Sequence, residues 1–186
     1  MGKIKPHLPV KLIIGLIFSQ KQTLEKTQNL LAGKFGKIDY QSRIMPFRHT
    51  DYYRREFGEG LKRKILGFKK LIPPENLARI KNTTNKIEQK LKIGLNRSIN
   101  IDPGYLNLSK LILATNKDYS HRIYLGKKVY AEVTLVYQGK TFCGWSWTYP
   151  DYRSPEYIEL FNNIRNIYSQ QIKCLPHTLL PTKTDH

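Results

Sequence analysis

The stretch HRIYLGKKVYAEVTLVY, residues 121–137, decides the fold. Two runs of β-branched and aromatic residues flank Gly126, Lys127 and Lys128. A three-residue loop containing glycine is a common hairpin connection. It sets Leu125 opposite Val129, Ile123 opposite Ala131 and His121 opposite Val133 on one face. Tyr124 then meets Tyr130, and Arg122 meets Glu132, on the other. A two-residue loop would put apolar residues opposite polar ones, because a one-residue slip turns every side chain to the other face. An antiparallel pair is expected.

Working outward, strands dominate from Ile99 onward. Asp102-Pro103-Gly104 reads as a turn, and Leu108 to Thr115 as a strand or a short helix. Gly139 marks another turn before TFCGWSW. Ser154 and Pro155 open a last helix lined by Tyr157, Phe161, Ile164 and Tyr168. Upstream, VKLIIGLIF (residues 10–18) reads as a buried strand. Ser19 and Gln22 form a capping box for a helix that stops at Gly36. KIDYQSRIMPF is a second strand region, Thr50 or Asp51 a cap for a short helix, and Lys62 to Phe68 an edge strand guarded by lysines. Pro73 and Pro74 open a helix with Leu77, Ile80, Thr84, Ile87 and Leu91 at helical spacing. Its lysines are read as a solvated face.

The sum is α+β: a mainly antiparallel sheet with three principal helices, including a ferredoxin-like core over residues 10–115 and a C-terminal meander. Residues 1–9 are expected to be a mobile segment, 10–173 a single domain and 174–186 a loose tail. The 186-residue chain is 40% hydrophobic, enough for a core. No run of eighteen apolar residues suggests a membrane span. The segment at 10–18 contains Lys11 and lacks a following cleavage site, so it does not read as a signal peptide. A cytoplasmic protein with Cys143 and Cys174 reduced is the expectation.

The net charge of +18 points to an anionic partner. Residues 61–100 hold eleven basic residues against two acidic, half of that surplus. A competing account is compositional: 22 Lys against 10 Arg, with abundant Asn, Ile and Tyr, is what AT-rich coding yields without selection for binding.

Chemistry-bearing residues concentrate in NIDPGYLNLSKLILATNKDYSHRIYLG, residues 100–126. His121 is a candidate general acid/base and Arg122 a bidentate phosphate binder. Neighbours on a strand face opposite ways, so the two meet one partner only where the strand begins and the chain bends. The bland reading pairs Arg122 with Glu132 and tucks His121 at the core edge. Lys110 and Lys117 would hold phosphate, or else snorkel and sit in a solvated turn. Asp102 is a candidate base or a turn former, and Tyr105 joins the ligand set. In WSWTYPDYRS, Trp145, Trp147, Tyr149 and Tyr152 offer stacking faces beside Arg153, or pack on the last helix. TDYYRREFG adds His49 and a cluster at residues 52–55. Metal spacing, P-loop, dinucleotide fingerprint and nucleophile elbow are missing. No pattern names a cofactor.

Taken together, DPGYL, SKLILAT, KDYSHRIYLG, YAEVTLVY and TYPDYRS, with GLIFS, FGKIDY, TDYYRREFGEGLKR and TTNKIE, resemble a bacterial family known only as a domain of unknown function, number 4416, over residues 8–173. The resemblance implies no activity. Two functions are expected from the residues. One is binding of a phosphate-bearing ligand, RNA or nucleotide, through basic and aromatic side chains. The other is a small enzyme acting on a phosphorylated or nucleotide-like substrate, with His121 as acid/base.

Overall fold

The computed structural model describes residues 7–47 and 60–175. The expectations for His49, Thr50, Asp51 and residues 52–55 lie outside them, as do those for residues 1–6 and 176–186. The chain order is β1 (Val10–Phe18), α1 (Lys21–Phe35), β2 (Ile38–Gln41), β3 (Met45–Pro46), β4 (Lys62–Ile72), a 3-10 turn (Pro74–Asn76), α2 (Leu77–Lys90), β5 (Ile99–Leu106), β6 (Lys110–Thr115), β7 (Arg122–Gly126), β8 (Val129–Gln138), β9 (Thr141–Gly144) and α3 (Pro155–Lys173). The fold is α+β, with a nine-stranded sheet ordered β2-β4-β1-β5-β6-β8-β7; β3 pairs with β4, and β9 with β8.

Setting aside the two-residue β3, the first four strands, β1, β2, β4 and β5, follow the βαββαβ pattern with β1 between β4 and β5 and every pair antiparallel. That is the ferredoxin-like arrangement. The remaining strands extend it as an antiparallel meander.

β1 sits at the centre because both its faces are apolar; all nine residues are buried. Val10, Leu12, Ile14, Leu16 and Phe18 pack with Leu24 and Leu31 of α1 and Ile80 and Ile87 of α2. Ile13 points the other way, into a cluster with Tyr157, Phe161 and Ile164 of α3. Period-2 alternation thus feeds two layers of helix from one strand.

Several expectations change. α1 begins at Lys21 after Gln20, with no side-chain cap, so Ser19 and Gln22 form no capping box. β4 is an inner strand, flanked by β1 and by the short β2 and β3. Asp102, Pro103 and Gly104 run within β5 and form no turn. The β7–β8 register keeps Arg122 with Glu132, Ile123 with Ala131 and Tyr124 with Tyr130, but Gly126 meets Val129 after a bulge. Lys127 and Lys128 alone make the turn, both at positive φ after Gly126 at 85°. β7 is the sheet's outer strand, so Ile123 and Leu125 are exposed and build no core.

Lys11 of β1 is fully buried. Lys11 Nζ donates to both oxygens of Asp39 at 2.9 and 2.8 Å, to Phe68 O at 3.1 Å and to Gln171 Oε1 at 2.9 Å. Burial pushes the ammonium below its ordinary value, and Asp39 pulls it back only in part. Removing one partner of such a pair strands the other. Asp39→Ala is expected to lower the unfolding free energy by about 3–5 kcal/mol in urea titration. The Lys11→Met/Asp39→Ala double variant should recover part of that loss.

Candidate functional site

The sheet is not hydrogen-bonded throughout. β5 and β6 pair only at Gly104–Leu113, Tyr105–Ile112 and Leu106–Leu111. Beyond Gly104 they part. At the fork Ile112 O comes so close that a Cβ on residue 104 would lie 2.3 Å from it; only glycine fits. Pro103 is next. Ile101 directs its N–H and C=O away from β1, and the two-residue period puts Pro103 on that same open edge. Proline, lacking an N–H, costs no ladder bond there.

Side chains from α2 take the place of the missing strand. Glu88 accepts the N–H of Ile101, and Lys81 Nζ donates to its C=O at 3.0 Å. Leu77, Lys81, Thr84 and Glu88 recur at helical spacing, and all four are buried. The sequence therefore carried a signal that Lys81 and Glu88 belong to the packed face; reading every lysine of this helix as solvated missed it.

The parting opens a cleft of about 740 Å³. Four ion pairs surround it. Arg63 Nη1 lies 3.1 Å from Asp151 Oδ2, Lys81 Nζ 3.6 Å from Asp102 Oδ1, Arg97 Nη1 3.3 Å from Glu88 Oε2, and Arg122 Nε 3.0 Å from Glu132 Oε2. Asn85, Gln89, Asn100, Asn116 and Lys117 complete the polar lining. Asn100 Nδ2 donates to Asp102 Oδ2, and Asn85 Nδ2 bridges to Asn116 Oδ1 at 2.8 Å.

Arg63 anchors the β4 end. Its side chain is only 7% exposed. Its guanidinium carbon lies 4.7 Å from the centre of the Phe47 ring and 5.2 Å from that of Tyr152. Nε and Nη1 make no hydrogen bond, and neither does the buried hydroxyl of Tyr152. Burial works against the guanidinium's charge, but Tyr152, Asp151, Tyr157 and Asp102 outweigh it and hold Arg63 above its ordinary value. Burial pushes the Tyr152 phenol well above its own.

The β7 end holds Arg122. Its Nη1 donates to Lys117 O at 3.0 Å while Nε is held by Glu132. His121 Nε2 lies 3.1 Å from the same Glu132 oxygen. The two neighbours do converge on one partner, as the start of a strand permits. Their partner is Glu132, buried at 3% exposure.

Of the residues singled out in the sequence, Asp102, Lys117, Arg122, Glu132, Tyr149 and Tyr152 line the cleft. His121 stands behind Glu132 and is not among the lining residues. Tyr105 packs between the clusters under α1 and α2. Lys110 begins β6, at the far end of that strand from the cleft-lining Thr115. Arg153 is exposed, its stem crossing Gly144. Trp145 and Trp147 are 39% and 38% exposed and do not pack under α3; Tyr152 is the one that does, stacked on Phe161. Arg63, Lys81, Glu88, Arg97, Asn100 and Asp151 join the set only through the fold. Among the described residues no group of three His, Cys, Asp or Glu is placed to hold a metal ion, and no helix is long and apolar enough to cross a membrane.

The family model described as "Domain of unknown function (DUF4416)" matches residues 8–168. No curated protein and no solved structure matches the chain.

Burial raises the Glu88 carboxyl above its ordinary value; Lys81, the Ile101 N–H and Arg97 lower it by less. Glu88 therefore holds its proton more tightly folded than unfolded. Its contribution to stability is greatest below the unfolded range and is lost as pH rises through the folded value. Glu88→Gln retains an acceptor for Ile101 and does not titrate. The stability of the wild type relative to Glu88→Gln should fall as pH rises through that window and level off above it, measured by urea unfolding at each pH. A constant difference across the acid range would contradict the assignment.

Proposed function

The chain belongs to the DUF4416 family, a domain of unknown function, and we propose that it binds a phosphate-bearing small molecule of nucleotide size in the cleft between β5 and β6. The observation that carries this reading is the ring of four ion pairs around one void. Buried ion pairs are weak stabilisers, since desolvation offsets most of their attraction. Apolar side chains of similar volume would hold the same elements together at no electrostatic cost. Four such pairs gathered at one cleft are better explained by use than by stability.

The geometry supports an anion with a polar body. Glu132 and Glu88 each hydrogen-bond one edge of an arginine, Arg122 and Arg97, and fix its aim. Arginine's remaining donors suit phosphate oxygens, and its fork does so bidentately. The carboxamides of Asn85, Gln89, Asn100 and Asn116 provide donors and acceptors for a base or sugar. The volume falls within the usual range of small-ligand pockets, about 300–1,000 Å³. A concave, partly open cleft of this volume suits a nucleotide better than the flat basic face that duplex nucleic acid needs.

Calorimetric titration with 5′-mononucleotides tests this. Arg122→Ala should weaken binding by about 1–3 kcal/mol, the scale of a charged hydrogen bond. Arg122→Ala also strands the buried Glu132, so Arg122→Ala/Glu132→Gln, which leaves no unpaired carboxylate, should lose the same binding while its thermal melt moves less than that of the single variant. Absence of heat with every mononucleotide and with inorganic pyrophosphate would overturn the reading.

A catalytic version of the same cleft rests on Asp102. Its carboxylate is 29% exposed at the lining, whereas His121 lies behind Glu132. Chromatography of the nucleotide after incubation is the check: product formation that Asp102→Asn abolishes supports an enzyme, and recovery of intact nucleotide supports a binding module.

A further inference from the structure

A second feature lies beside the cleft. β7 and β9 both pair with β8, β7 over residues 129–132 and β9 over 135–138, on the edge away from β6. Between them the carbonyls of Val133 and Thr134 have no strand partner on that side. The loop after β9 supplies one. Trp147 Nε1 donates to Val133 O at 3.1 Å, and Thr148 Oγ1 to Thr134 O at 2.6 Å.

That anchoring builds a column of rings. Trp145 and Trp147 stack with centroids 5.2 Å apart and planes at 8°. Trp147 stacks in turn on His121, at 5.2 Å and 12°. Tyr119 follows at 5.1 Å, tilted by 59°. Its ends are exposed, Trp145 by 39% and Tyr119 by 66%, while His121 lies between Trp147 and Tyr119 with its side chain 14% exposed. The column is also joined to the cleft. His121 shares the Glu132 carboxylate with Arg122, whose guanidinium carbon lies 5.9 Å from the Tyr119 ring centre. Tyr149, from the tryptophan loop, lines the cleft itself.

Hydrogen bonding to β8 accounts for Trp147 and His121, but core packing does not account for end rings as exposed as Trp145 and Tyr119. The free ring faces of Trp145 and Tyr119 at the ends of the column, on a chain of net charge +18, match nucleobases and their phosphates in both chemistry and charge. Aromatic side chains stack bases of any sequence, and basic grooves track the backbone between them. We propose that the Tyr119–His121–Trp147–Trp145 column is a base-stacking platform for single-stranded nucleic acid, one nucleotide of which occupies the cleft. This rests on the cleft reading and extends its ligand from a mononucleotide to a strand.

The experiment compares a 5′-mononucleotide with single-stranded RNA and DNA of about eight nucleotides and with a duplex of the same sequence. Binding is followed by tryptophan fluorescence and anisotropy at about 50 and 200 mM salt. The strand should bind at least about tenfold more tightly than the mononucleotide and quench the tryptophans, with the duplex weaker. Trp145→Ala, which leaves Trp147 on Val133, should weaken strand binding by roughly tenfold more than it weakens mononucleotide binding. The two sugars separate RNA from DNA. Mononucleotide binding with no gain for the strand overturns the platform and leaves the cleft standing. Failure of the mononucleotide to bind overturns the cleft reading instead. Strand binding that vanishes at the higher salt and ignores Trp145→Ala is nonspecific attraction to surface lysines and also overturns the platform.

Discussion

Ile101 gives its N–H to Glu88 and its C=O to Lys81, and the cleft depends on this arrangement. A strand edge in the middle of a sheet must be satisfied by something, because an unpaired buried backbone group costs as much as a lost hydrogen bond. Here a helix supplies both partners. β6 is thereby released from β5, and Pro103 removes one donor that would have drawn it back. Glu88 and Lys81 then carry charge to the seam, and charge needs further partners: Arg97 for Glu88, Asp102 for Lys81. The polar lining follows from the decision to satisfy one residue with side chains.

The same logic runs at both ends of the cleft. Arg63 points into it from β4 because β4 is an inner strand and residue 63 shares a face with Ile65 and Gly67 in the two-residue alternation. Its charge is met by Asp151, delivered by the loop that α3 holds through Tyr152 stacked on Phe161. At the other end Glu132 is buried and answered by Arg122 and His121 together. Stability comes from the two apolar layers around β1. The cleft draws on that reserve, since every pair in it is costly to desolvate.

How far this could be read from the sequence depended on whether a residue's setting was local. Arg122 opposite Glu132 was legible because hairpin register propagates from a nearby turn. The turn itself was mistaken by one residue: Gly126, Lys127 and Lys128 all take positive φ, and lysine seldom does so. Asp102-Pro103-Gly104 looks like a turn by composition. It is strand because Gly104 answers a close approach of Ile112 and Pro103 an open edge, and both causes lie in β6. Arg63 was hidden in Lys62-Arg63-Lys64, a run whose inward member cannot be told without knowing that β2 and β3 cover β4. Lys81 and Glu88 were legible in principle, by their spacing from Leu77 and Thr84, and were lost to the assumption that charge marks solvent. The aromatic residues divided on tertiary grounds alone: Tyr152 reaches α3, while Trp145 and Trp147 stop at the edge of β8.

The net charge of +18 and the cleft answer different physical demands. Around the cleft Arg63, Lys81, Arg97 and Arg122 each have a carboxylate beside them, so the field is close to balanced and directional donors do the recognising. Of the eleven basic residues at 61–100, Arg63 and Lys81 are the two that are buried, and they have joined that balanced set. The surplus therefore lies on exposed side chains such as Lys62, Lys69, Lys86 and Lys90. Exposed charge attracts an anion over about a Debye length, 10 Å at ordinary salt, and is screened beyond it. It raises the rate of encounter more than it selects the partner. A composition biased toward lysine would supply that attraction without specifying any site. Arginine behaves otherwise here: Arg63, Arg97 and Arg122 all line the cleft, each beside a carboxylate. Lys81 joins them, paired with Asp102; a charge fixed beside a carboxylate at the cleft, rather than one left exposed, is what separates a built site from compositional charge.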